Sequence, residues 1–362
     1  MTELLKNYFN KELINRLSTE IHSVHIQFDK NKFTKSVFCK EWKDFELKER
    51  MRHIVISLHN SFALSYKDEI RILKLVVPKF NDFTAMLFPD FVEVYGMGSY
   101  KFSIPALEFF TQHSSSEFAI RRFIIKYPTK TMEQMFEWSK HKNFHVRRLA
   151  SEGCRPRLPW SIALPDFKKD PTLVLQILEN LKNDESEYVR KSVANNLNDI
   201  SKDNPDVVLQ IAKLWIAKNK NTDWILKHGC RTLLKKGNEE ALKLFGIDNN
   251  AKVTITNFKI EKQKIKIGGY NYFTFNIKLN EIKEKTLRIE YFVYYVKSNG
   301  KVTKKIFKIS ESKFQQSETK AIRKKHNFHN LTTRKHYPGL HKISLVINGK
   351  ELVEQKFLLN SE

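Results

Sequence analysis

Apolar residues recur at helical spacing through the first two-thirds of the chain. Leu4, Tyr8, Leu13, Leu17 and Ile21 fall on one face of an amino-terminal helix. Thr2, ahead of Glu3 and Leu4, offers it an N-cap. The same spacing predicts helices within residues 45–62, 67–80, 104–113, 117–127, 131–141, 172–183, 188–200, 205–219 and 224–237. Pro128, Pro171, Pro205 and Gly237 fall near the ends of these segments, where proline breaks no helical bond and glycine closes a helix. No strand alternation is evident before residue 250.

After residue 250 the period changes to two. Residues 252–261, 272–279, 287–298, 301–310 and 342–359 alternate, and Asn299-Gly300 and Asn348-Gly349 sit between such runs as hairpin signals. Some six or seven short strands predict a small antiparallel β-sandwich. The expected organisation is a helical domain over 1–246, a short polar link, and a β domain over 251–362.

A repeat lies within the helical part. Ile120-Arg121-Arg122, Val146-Arg147-Arg148 and Val189-Arg190-Lys191 share an apolar-basic-basic core, each behind an aromatic lead-in. Trp224 to Lys227 reads as a weaker fourth copy, with Arg231 just beyond. Repeats of roughly 40 residues with two helices each suggest a HEAT-like solenoid. In such a stack the apolar residue faces the core and the basic pair lines one concave face, suited to phosphates. The plain alternative is that these are solvated or salt-bridging residues.

Charge sharpens the picture. Lys and Arg number 64 against 40 Asp and Glu, a net charge of +24, which calls for a polyanion, nucleic acid first. A lysine-rich proteome is the bland explanation. No apolar run is long enough to span a membrane. The charged, amphipathic amino terminus lacks the layout of a secretory signal. Cys39, Cys154 and Cys230 are far apart, which argues against a disulfide framework and for a reducing cytosol. His141 and His145 lack an acid at a matching position, so no metal and no cofactor are expected.

Three acids lie beside the basic cores: Glu117, Glu152 and Asp199. A phosphate groove repels carboxylates, so acids there need a reason. Hydrolysis of an N-glycosidic bond supplies one, because its oxocarbenium-like sugar is stabilised by a nearby carboxylate that also orients water. Each acid also has a plain reading. Glu117 suits a helix start, Glu152 pairs with Arg148 four residues earlier, and Asp199 suits a solvated helix end. Residues 151–160, SEGCRPRLPW, add context. Pro156 and Pro159 break the helix, Arg155 and Arg157 stay available for phosphate, and Trp160 becomes a rigid aromatic on a loop that stacks on a base or plugs two helices. In the β part, Arg323 to His326 and Arg334 to His336 form a basic strip, either a DNA clamp or a solvated loop.

The strings VRRLASEGCRPRLPW, EYVRKSVANNLNDISKDNP and LTTRKHYPGLHKISLVING closely resemble the AlkC family of bacterial DNA alkylation-repair glycosylases, sister to the AlkD family. The resemblance covers nearly the whole chain. It implies a right-handed α-solenoid of HEAT-like repeats followed by an immunoglobulin-like antiparallel β-sandwich. It also implies monofunctional excision of 3-methyladenine and 3-methylcytosine from duplex DNA, without base flipping, by a cytoplasmic monomer. Carried over by motif, Glu117, Glu152 and Asp199 are the catalytic acids and Trp160 the aromatic at the lesion. Arg121, Arg122, Arg147, Arg148, Arg155, Arg157, Arg190, Lys191, Lys227, Arg231, Lys325, Arg334 and Lys335 are the candidate DNA contacts. A methylated base is cationic and leaves without a general acid, which suits carboxylates with no obvious proton donor. The rival functions are a non-catalytic HEAT-repeat nucleic-acid scaffold and a protein-interaction solenoid.

Overall fold

A computed structural model describes residues 4–331 and 334–361. The chain divides into two compact units, one holding Met1–Asn204 and Trp215–Gly229, the other Pro205–Leu214 and Cys230–Glu362.

The first unit is helical throughout its described residues. Its first α-helix is Lys11–Val24, capped by the Asn10 side chain, which accepts from the Leu13 amide at 3.0 Å. A 3₁₀ turn over Leu5–Tyr8 precedes it. The break at Phe9 and Asn10 turns the faces apart, so Leu13, Leu17 and Ile21 are buried while Leu4 and Tyr8 are exposed. The cap expected at Thr2 lies outside the described residues. Pro128 opens the helix Pro128–Trp138 and Pro171 precedes Thr172–Leu181, as their missing amides allow.

The helices Phe144–Gly153, Glu187–Ile200 and Lys220–Gly229 carry the later repeat cores, and they pack side by side in that order. Two glycines permit the close approach. A Cβ on Gly153 would lie 2.6 Å from Ile120 Cγ2, and one on Gly229 3.0 Å from Leu197 Cβ. The first of these contacts seats the helix Ala119–Lys126 against the end of Phe144–Gly153, next to Glu152.

The second unit contains eight strands: β1 (Val253–Ile260), β2 (Lys264–Lys266), β3 (Tyr270–Leu279), β4 (Lys285–Val296), β5 (Val302–Phe314), β6 (Thr319–Asn327), β7 (Gly339–Ile347) and β8 (Lys350–Asn360). They form two sheets, β1-β3-β6 and β2-β8-β7-β4-β5. Alternating residues such as Phe273, Phe275, Ile277, Ile289, Tyr291 and Val293 fill the core. Two strands depart from the sequence reading. The β2 strand pairs parallel to β8, and β6 is so polar that only Ile322 marks its inner face before His326.

The expected boundary at residue 246 also moves. At the β7–β8 turn, Asn348 and Gly349 have φ of 48° and 83°, as a two-residue hairpin of this kind requires. A Cβ on Gly349 would lie 2.7 Å from Gly237 Cα and 3.1 Å from Leu242 Cδ1. Asn348 Nδ2 donates to the Asp248 carbonyl at 2.6 Å. Residues 230–246 therefore pack with the sandwich: the period change marks a switch of element type, while the compact unit begins earlier.

Candidate functional site

The three acids of the first unit are brought together by cations placed between them. Glu117 sits just ahead of the helix Ala119–Lys126, and its Oε2 accepts from Ser115 Oγ at 2.6 Å and from Arg148 Nη1 at 2.7 Å. Arg148 also reaches Glu152 Oε1 at 3.6 Å. Arg155 donates Nη1 to Glu152 Oε1 at 2.6 Å and Nε to Asp199 Oδ2 at 2.9 Å. Lys202 closes the row at Asp199 Oδ1, 2.9 Å away. Carboxylates and cations thus alternate along a ladder that crosses three successive helical layers. Burial works against the Arg148 cation, but Glu117 and Glu152 beside it win and hold its pKa above the ordinary value. Burial opposes Arg155 in the same way, and Glu152 and Asp199 raise it.

This geometry revises the arginines. Arg121 is fully buried, and burial pulls its pKa down to about 10. Its guanidinium donates to the carbonyls of Ile162 at 2.7 Å, Gly153 at 2.9 Å and Arg155 at 2.7 Å. It organises the loop after Gly153 and offers nothing to a phosphate. Arg147 is held by both oxygens of Asp184, at 2.6 and 3.0 Å. Arg148 and Arg155 face carboxylates, and Arg190 Nη1 donates to the carbonyls of Asp184 and Glu185, each at 2.8 Å. Arg121, Arg147 and Arg148 therefore tie separate segments together, while Arg190 braces the turn ahead of its own helix. Exposed cations remain at Arg122, at Arg157 beside Asp203, and at Lys191 beside Glu187. Lys227 and Arg231 are half-buried.

Asp199 is buried, not a solvated helix end. Trp160 is 65% exposed, on the loop, with φ of 62°. Glu117, Phe118, His145, Trp160 and Tyr188 line one cleft of about 450 Å³. Arg148 lies 4.3 Å from the Tyr188 ring centre. Burial lowers the pKa of His113, and burial together with Arg148 lowers that of His145, the two histidines of the cleft. Tyr188 was visible in sequence only as an aromatic lead-in, and Lys202 only as a lysine three residues after Asp199. Ser115 carried no distinguishing signal.

In the second unit, Arg323 and Lys325 point outward from β6, whereas His326 and His336 are buried, so the two histidines of the expected basic strip belong to the core. Lys325 lies 3.8 Å from the Tyr270 ring centre. Arg334 is half-buried beside Tyr295, and Lys335 is exposed. Among the described residues no cluster of His, Cys, Asp and Glu could hold a metal ion, and no helix is long and apolar enough to cross a membrane.

Residues 111–233 match the family described as DNA alkylation repair enzyme, and residues 254–361 match the C-terminal Ig-like domain of YhaZ. An uncharacterised Bacillus subtilis protein, YhaZ, is 45% identical over 346 residues, covering 96% of each chain. The alkylpurine DNA glycosylase AlkC of Pseudomonas fluorescens, solved bound to DNA containing an abasic site analogue, is 37% identical. It superposes with a TM-score of 0.96 over 99% of this chain and 100% of its own. Fold and matched regions together define a DNA alkylation repair protein. Within that class, the chain belongs to the AlkC-type family of DNA alkylation-repair glycosylases.

Proposed function

We propose that this protein is a monofunctional glycosylase that hydrolyses the N-glycosidic bond of cationic alkylated bases, 3-methyladenine and 3-methylcytosine, in duplex DNA. The observation that carries this reading is the row of Glu117, Glu152 and Asp199, the last two buried, linked through Arg148 and Arg155, with Glu117 sharing a cleft with the exposed Trp160. A pure DNA binder of charge +24 gains nothing from three carboxylates at its groove. A glycosylase does, because positive charge develops on the sugar as the base departs. Water then adds at C1′. The methylated base leaves as a neutral molecule, and the carboxylates orient the water and take up its proton. No general acid is required.

Trp160 contacts the lesion face, and the site works from a cleft without extruding the base. The Pseudomonas fluorescens relative was captured on an abasic analogue, which resembles the product of such a reaction. Exposed cations at Arg122, Arg157 and Lys191 contact phosphates, and Lys325, Arg334 and Lys335 of the sandwich contact the duplex. The test is single-turnover excision on duplexes carrying 3-methylcytosine or 3-methyladenine, with 7-methylguanine as contrast. Release of the first two with 7-methylguanine left in place is expected. Binding without release of either would make the protein a scaffold.

A further inference from the structure

Trp160 combines two properties that need explaining together. Its ring is exposed, so packing does not fix it, yet its backbone has φ of 62°, a region that residues bearing a Cβ seldom adopt. Such a conformation persists only where the surroundings over-determine it. Arg121 supplies the inner restraint, through the Ile162 carbonyl two residues on. The outer restraint comes from a helix remote in sequence. Lys48, on the helix Leu47–Ser61 and 112 residues away in sequence, donates its ammonium to the Trp160 carbonyl. The same ammonium lies 4.4 Å from the centre of the Phe118 ring, next to Glu117.

The acids near Lys48 are otherwise engaged. Arg52 holds Asp90 through two bonds of 2.9 and 2.8 Å and Glu93 through one of 2.9 Å. These groups share a cavity with Glu49, His53 and Arg122, floored by Phe45, Phe118 and Ile162. The Lys48 cation is thus directed at a neutral carbonyl and an aromatic face.

We propose that Lys48 is a positioning residue for excision: by tying the Trp160 carbonyl to the segment that carries Glu117, it sets the angle at which the indole meets the lesion. The proposal rests on the reading of Trp160 given above. The rival role is a phosphate contact, which an exposed lysine on a DNA-binding protein would ordinarily be given.

Lys48→Met keeps the aliphatic stem and removes the donor, and Lys48→Arg keeps a donor. Lys48→Met should slow single-turnover excision of 3-methylcytosine by roughly ten- to a hundredfold, the order that an ångström of misplacement costs. Affinity for undamaged duplex should stay the same, and Lys48→Arg should recover most of the rate. In a Trp160→Ala background Lys48→Met should cost nothing further, the mark of a residue acting through Trp160. A second readout is independent of activity. The Trp160 fluorescence, isolated by subtracting the Trp160→Phe protein, should become more open to acrylamide quenching in Lys48→Met and revert in Lys48→Arg. Unchanged quenching, equal losses in both backgrounds, or a loss of undamaged-duplex affinity in step with excision would each overturn the proposal. If Trp160→Ala itself excises at the normal rate, the reading of Trp160 fails, and the quenching comparison still decides whether Lys48 holds the loop.

Discussion

Arg155 donates its Nε to Asp199 Oδ2 across 2.9 Å, joining the loop after the helix Phe144–Gly153 to the end of Glu187–Ile200. That bond, with its partner to Glu152, makes the guanidinium a spacer that holds two like charges apart. Two buried carboxylates in one site would otherwise repel and draw protons. The pairing explains how the protein keeps two acids buried side by side.

Removing either charge should therefore damage chemistry before it damages binding. Glu152→Gln and Asp199→Asn each leave Arg155 one carboxylate, so both should fold. Each is expected to lower single-turnover excision by about 10²–10³, the order found for deleting one preorganised electrostatic contact. Affinity for an abasic-analogue duplex should hold or rise. Excision at the normal rate in both variants would remove the carboxylates from the mechanism.

The arginine doublets separate into two behaviours. Arg148→Ala frees Glu117 and leaves Glu152 with one cation, so it should depress excision while the salt dependence of binding barely moves. Arg157→Ala and Lys191→Ala remove exposed cations, and each is expected to lower the slope of log K against log salt by about 0.9. The comparison is made on undamaged duplex by titration at several salt concentrations. If Arg148→Ala changes the slope as much as Lys191→Ala does, Arg148 is a phosphate contact after all.

These two behaviours show where sequence reasoning stops. The helical and alternating periods identified both element types because burial imposes the period directly. The acids stood out because carboxylates are out of place in a basic repeat, and the family resemblance gave them a role. Partner choice was invisible. Arg121, Arg147 and Arg190 occupy equivalent places in their motifs. Yet the first meets three backbone carbonyls, the second Asp184, and the third the carbonyls of residues 184 and 185. Those partners lie 32 to 41 residues away for Arg121 and 37 for Arg147, so no local pattern announces them. The Lys48 contact spans 112 residues and was equally hidden.

The sandwich carries a pH dependence of its own. His326 is buried between Tyr291 and Tyr295, whose hydroxyls lie 2.9 and 2.8 Å from its two ring nitrogens. Burial, aided by the charges of His336 and Arg334, pulls its pKa from 6.5 down to about 3. The folded value is below the unfolded one, so the neutral ring's contribution is full above pH 6.5 and is lost as pH falls toward about 3. The loss should reach on the order of 2–4 kcal/mol. Thermal unfolding of the full chain from pH 7 to pH 4 checks this against His326→Gln, which should be less stable at pH 7 but flatter with pH. Equal slopes for the two proteins would show that His326 does not titrate as its surroundings dictate.

Residues 230–246 pack with the sandwich at the β7–β8 turn. Gly349 has φ of 83° and Gly237 φ of 69°. An alanine at 349 would set its Cβ 2.7 Å from Gly237 Cα, a backbone atom that cannot swing aside. The unfavourable φ alone costs about 1–2 kcal/mol, and the clash adds to it. Gly349→Ala should therefore lower the melting temperature of the full chain, and truncation after residue 246 should be worse, because it strips Leu242 of its partner at the turn. A clamp made by the sandwich has a different signature. Lys325→Gln, Arg334→Gln and Lys335→Gln together alter side chains at or near the surface, so melting should stay within a few degrees while excision and duplex affinity both fall. Circular dichroism melts beside single-turnover excision separate the two effects. Normal melting of Gly349→Ala would return the domain boundary to residue 246. Normal excision by the triple variant would leave the basic residues of the sandwich without a part in gripping DNA.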